Sequence, residues 1–132
     1  MTTTSVAVGT ELPELVIEAS VRNIVATAIA SRDYQDVHHD VATAQVKGSK
    51  TIFTNILTSN GYVLRYVTDF FGPLSVVKSS KLRLGVPNYA GDVMTMRGTV
   101  TAVDGQLVTV DVKGSNSLGD HVIATVTLEV PQ

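Results

Sequence analysis

Two regimes of hydrophobic spacing divide the chain. From Leu74 onward apolar and polar residues alternate with period two and turn residues interrupt them, the pattern of half-buried strands. In "MTMRGTVTAVDGQLVTVDVKG" Met94, Met96, Val100 and Ala102 share one face, Asp104-Gly105 signals a hairpin, and Val108, Val110 and Val112 resume the alternation. "HVIATVTLEV" puts Val122, Ala124, Val126, Leu128 and Val130 on a single face. Together with "VVKSSKLRL" these segments predict at least four strands in antiparallel succession.

The first half is spaced for helices. "NIVATAIASRD" predicts one helix, and "TNILTSNGYVLRYVTDFF" a longer one with Ile56, Leu57, Val63, Leu64 and Val67 as its buried stripe. Thr51 or Thr54 is expected to cap its start, and Gly72 and Pro73 to stop it. Gly61, inside it, costs about 1 kcal/mol relative to Ala, so a close backbone approach is expected there. "LPELVIE" supplies a short N-terminal strand. The pattern predicts an α+β fold, one long helix packed on a curled antiparallel sheet. No linker or repeat interrupts residues 1–132, which are read as a single domain.

Composition narrows the function classes. A chain of 132 residues can bury roughly two-thirds of its unfolded surface without staples. The absence of cysteine excludes disulfides, thiolate zinc sites and a thiol nucleophile. The N-terminus lacks a basic region followed by an apolar core, and no apolar run approaches the ~20 residues of a membrane span, so a cytoplasmic protein is expected. Net charge is -2 and the ten Lys and Arg are scattered singly, which argues against nucleic acid as a partner.

The candidate chemistry is concentrated in "SRDYQDVHHDVATA", Ser31 to Ala44. As a metal site it would use His38, His39 and Asp40. Adjacent residues of an extended chain point to opposite sides, and a closed site wants four ligands, so no metal is expected. As a plain surface loop it needs no partners at all. Yet it lies between two helical segments and pairs a carboxylate with an imidazole, the minimal kit for moving a proton at neutral pH. Asp33 and His38, five residues apart, do not share a face of a continuous helix, and they converge only if the chain leaves helix after Asp33.

"RDYQDVH" resembles the D-x-N-P-(aliphatic)-H signature of MaoC-like dehydratases and (R)-specific enoyl-CoA hydratases. Asp33, Val37 and His38 match it, while Gln35 and Asp36 replace its Asn-Pro. "VGTELPEL" resembles the family's opening segment, "TIFTNIL" the start of its central helix, and "LGVPNYAGDVM" its P-V-x-x-G-D stretch through Pro87, Gly91 and Asp92. "RDYQDVHHD", "GSKTIFTNILT", "LRLGVP" and "NSLGDHVIATV" are similar to the small MaoC-like subunits of actinobacterial steroid side-chain degradation.

The resemblance implies a hotdog fold and an enoyl-CoA hydratase that adds water across a 2-enoyl-CoA thioester of a steroid side-chain intermediate. Asp33 and His38 would be its catalytic pair. It implies substrate binding by the backbone N–H of Asn55, at the first turn of the central helix, and by Asn60, where the family often has a pocket-lining Ser. No cofactor is implied beyond the coenzyme A of the substrate. The implied partner is a second MaoC-like chain in a heterotetramer of two small and two large subunits, with a homodimer as the alternative.

The remaining residues have plainer readings: His39 solvated, with pairing to the acyl carrier's phosphates second, His121 structural, and Tyr62, Tyr66, Phe70 and Phe71 packed in the core or an interface, with an acyl pocket second. Two rival functions stay in view. A hotdog thioesterase would want a carboxylate on the central helix, and "TNILTSNGY" has none. A non-catalytic subunit completing a partner's site would be expected to lose the Asp and the His, and this chain keeps both.

Overall fold

The computed structural model describes residues 6–131. Strand β1 (Glu11–Glu18) is followed by helix α1 (Val21–Ala30), a 3-10 turn at Asp36–His38, helix α2 (Val41–Val46) and the long helix α3 (Ile56–Phe71). Strands β2 (Val76–Leu84), β3 (Val93–Asp104), β4 (Leu107–Asn116) and β5 (Gly119–Glu129) complete one antiparallel sheet in the order β1-β3-β4-β5-β2. The expected α+β layout is present, with β1 and β2 at the two edges.

Alternation decides which face of the sheet meets the helix. Met94, Met96, Val100, Val108, Val110, Val112, Val122, Val126 and Leu128 are buried in one cluster with Val63, Val67 and Phe71 of α3. Ala102 departs from the expected face. A bulge between Val100 and Ala102 inserts one residue and ends the buried alternation, leaving Ala102 exposed. The β3–β4 connection is a two-residue loop, Gly105-Gln106, between the paired Asp104 and Leu107, and Gly105 has φ 62°.

Helix α3 differs from its predicted stripe at its first turn. Its buried residues are Thr58, Ser59, Val63, Tyr66, Val67 and Phe71, whereas Ile56 and Leu57 are 50% and 53% exposed. Ile56 shares the face of Val63 but opens onto a cleft, and Leu57 is turned about a third of a revolution away. Neither Thr51 nor Thr54 caps the helix. Its N-cap is Asn55, whose side chain bonds no backbone N–H of the first turn. Gly72, at φ 93°, ends it ahead of Pro73, as expected.

Gly61 makes no close approach among the described residues, since a Cβ there would meet none of their atoms within 4 Å. The close approaches are in the sheet: a Cβ on Gly98 would stand 2.8 Å from the Tyr66 ring, and one on Gly114 would stand 2.8 Å from Met96 Sδ. Those two positions let α3 and the core methionines sit down on the strands.

A second, smaller cluster of Ala19, Ile24, Ala44 and Ile52, with Val25, Val37 and Ala90 against it, packs the α1–α2 region. That packing supports the polar segment between the helices.

Candidate active site

The segment is aimed by the way α1 ends. Arg32 adopts φ 57°, the left-handed region usually given to glycine, the Arg32 N–H bonds Ile29 O at 3.0 Å and the Asp33 N–H bonds Ala28 O at 2.9 Å. This pair of bonds is a Schellman closure whose last donor is the N–H of Asp33 itself. The chain therefore leaves helix before Asp33, at Ala30, and not after it. It turns back toward the start of α3.

The 3-10 turn then presents His38, which is 8% exposed. Its Nδ1 lies 2.8 Å from Phe53 O, and because a carbonyl only accepts, Nδ1 carries the proton there. The Phe53 ring stands edge-on to the imidazole with centroids 4.9 Å apart. Nε2 is left facing Asp33 Oδ2 at 3.5 Å, too long for a good direct hydrogen bond. A water held by both groups suits that spacing.

Asn55 completes the polar end. Its Nδ2 donates to Ser31 Oγ at 3.0 Å and to Asp33 Oδ2 at 3.2 Å, and the Thr58 hydroxyl donates to its Oδ1. As the N-cap residue it stands where the first-turn amides of α3 are free of intrahelical acceptors. No acceptor among the described residues is bonded to the Asn55 N–H. Thr54, just before it, is pinned by its N–H to Asn88 O at 3.1 Å and by Asn88 Nδ2 to its Oγ1 at 3.2 Å.

Asp33, His38 and Asn55 open into one cleft of 410 Å³ whose other walls include Ile56, Leu84, Val86 and His121. His121 is 2% exposed; its Nδ1–H donates to Val86 O at 2.7 Å, and its Nε2 lies 2.7 Å from Ser59 Oγ. Burial holds its pKa below the ordinary imidazole value, against a smaller opposing effect of the Val86 carbonyl. The ring is therefore neutral at pH 7, and Ser59 donates to Nε2.

The other candidates lie elsewhere. Asn60 does not line this cleft: its Oδ1 accepts the Ser80 hydroxyl at 3.0 Å, tying α3 to β2. His39 sits at the surface, 3.7 Å from Asp36. Asp40 caps α2 by accepting the Thr43 N–H at 3.1 Å, which holds its carboxyl below the usual range. Tyr66 and Phe71 are in the core, with Tyr62 and Phe70 packed partly buried against it. Ser31, Phe53, Thr58 and His121 belong to the site's surroundings, although nothing in their local sequence marks them. Their partners are 15 to 62 residues away, apart from the local Thr58–Asn55 bond.

No family model matches the chain. The beta subunit of the 3-oxo-4,17-pregnadiene-20-carboxyl-CoA hydratase of Mycobacterium tuberculosis is 57% identical over 123 residues, which are 93% of this chain and 95% of that one. A chain in the crystal structure of the ChsH1-ChsH2 complex from the same organism superposes with a TM-score of 0.93 at 56% identity, over 95% of this chain and 98% of that one. The (R)-hydratase of A. caviae involved in PHA biosynthesis superposes with a TM-score of 0.86, over 98% of this chain and all of that one, at 20% identity, a likeness of fold alone. The sheet wrapped on α3 is thus a hotdog. With a 57% identical relative matched over almost its whole length, the protein belongs to the MaoC-like hydratases, beside their beta subunits.

Proposed function

We propose that this chain is the catalytic small subunit of an enoyl-CoA hydratase, adding water across the 2,3 double bond of an enoyl thioester. The observation that carries the reading is the placement of Asp33 Oδ2 and His38 Nε2 3.5 Å apart at the polar end of the cleft, beside the open N-terminus of α3. A water bonded to both gives a proton to the pair as its oxygen bonds C3, and the pair passes a proton on to C2, so that H and OH are added across the double bond and the pair ends as it began. The roles of base and acid are assigned to the pair jointly. Charge developing on the thioester oxygen is met by the Asn55 N–H and the positive end of the helix dipole.

The apolar walls from Ile56, Leu84 and Val86 suit a bulky acyl group. With the M. tuberculosis relative named for a pregnadiene carboxyl-CoA, the substrate class proposed is the CoA thioester of a shortened steroid side chain. No cofactor enters this scheme. A second MaoC-like chain is the proposed partner, supported by the relative's presence in a two-protein complex. Among the described residues no helix is long and apolar enough to cross a membrane, and we assign the enzyme to the cytoplasm, where CoA thioesters are handled.

The experiment is a hydration assay on the chain purified with a second MaoC-like protein, following loss of the enoyl-thioester absorbance. Absorbance loss without release of free CoA thiol supports hydration. Thiol release would mark a thioesterase, and activity that survives removal of this chain would mark a non-catalytic role.

A further inference from the structure

We propose that the Asn55 carboxamide is a positioning group for the Asp33 carboxylate, a role separate from that of its backbone N–H and resting on the hydratase reading of the cleft. An N-cap Asn ordinarily turns its Oδ1 onto a free N–H of the first helical turn. Asn55 does not. Its Oδ1 takes the Thr58 hydroxyl, and both hydrogens of Nδ2 point away from the helix, to Ser31 Oγ at 3.0 Å and Asp33 Oδ2 at 3.2 Å. The helix forgoes its side-chain cap and the carboxylate gains a donor.

The orientation of the amide is fixed by its neighbours. The Ser31 hydroxyl donates to Thr27 O at 2.7 Å, so toward Asn55 it can only accept. A carboxylate also accepts. Nitrogen therefore faces Ser31 and Asp33, and oxygen faces Thr58. Asn55 is 2% exposed, so this bonding is shielded from water.

Asp33 depends on it. The carboxylate follows a left-handed residue, its side chain is 22% exposed, and its one other hydrogen-bond donor among the described residues is the Gln35 N–H on Oδ1 at a long 3.4 Å. The Asn55 donor restrains Oδ2 while leaving it facing His38 Nε2. Two hydrogen-bonded runs thus face each other across the 3.5 Å separation of Asp33 and His38, one from Thr58 through Asn55 to Asp33 and the other from His38 to Phe53 O. Catalysis by an oriented pair is sensitive to displacements of about 1 Å, which can cost ~100-fold.

The test uses the assembled enzyme with its partner chain and measures kcat and KM for a 2-enoyl-CoA. Asn55→Gly keeps the backbone N–H and removes the carboxamide; the expected result is a fall in kcat of roughly tenfold or more with KM within about threefold. Thr58→Val, which removes only the hydroxyl that orients the amide and does not line the cleft, should lower kcat several-fold, and Thr58→Ser should restore it. The Thr58 pair decides the matter if Asn55→Gly does not assemble. Wild-type kcat in Thr58→Val, a loss confined to KM, or failure of Thr58→Ser to restore the rate would overturn the inference. A wild-type complex that hydrates no enoyl-CoA would instead overturn the functional reading beneath it.

Discussion

Arg32 holds the turn that aims Asp33, and it does so in a conformation that costs an L-residue roughly 1–2 kcal/mol. Arg32→Gly should leave stability unchanged or raise it by up to about 1 kcal/mol, part of the relief being offset by the freer unfolded chain, while Arg32→Val should lower it. Denaturant melts of the three proteins check this. His121 makes a pH prediction. Its folded pKa is depressed below 6.5 by burial, so below that value the unfolded chain binds a proton that the folded chain resists. Stability contributed by the neutral ring is fully present above pH 6.5 and is lost as pH falls toward the depressed folded value. Thermal melts between pH 7.5 and 5.5 should show a drop that is smaller in His121→Gln. At this scale Asp33 and His38 were legible because their spacing is local. Ser31 and Phe53 were not, because each meets its partner only after the chain has folded back on itself.

Among the elements, α3 was legible in extent but not in its first turn. Hydrophobicity assigned Ile56 and Leu57 to the core, yet the helix begins at the cleft, so one lines the cavity and the other faces outward. Glycine was ambiguous for a related reason: in sequence Gly61 and Gly98 look alike, and only packing separates them. Gly61→Ala, on an exposed helical face with nothing among the described residues within 4 Å, should add about 1 kcal/mol of stability. Gly98→Ala, whose Cβ would stand 2.8 Å from Tyr66, should cost about 1–3 kcal/mol through overpacking. Equilibrium unfolding of both variants separates the two environments, and a stabilised Gly98→Ala would contradict the packing described.

For the whole molecule, the cleft mouth is unfinished in the single chain. Ile56 at 50% and Leu84 at 40% exposure stand at its rim, and β2, an edge strand that pairs with β5 alone among the described residues, carries Val76 at 52%. Exposed edges and apolar rims are normally covered. Light scattering should find that co-expression with a second MaoC-like chain yields a heterotetramer that is the active species. A fully active homodimer of this chain alone would contradict hetero-assembly, and an active monomer would contradict the need for any partner. The central claim is that Asp33 and His38 of this chain move the protons of hydration. Its most direct measurement is turnover of a 2-enoyl-CoA by the assembled enzyme carrying Asp33→Asn or His38→Ala. Each should lower kcat by on the order of a hundredfold or more with assembly intact, and a variant that keeps near wild-type turnover would contradict the claim.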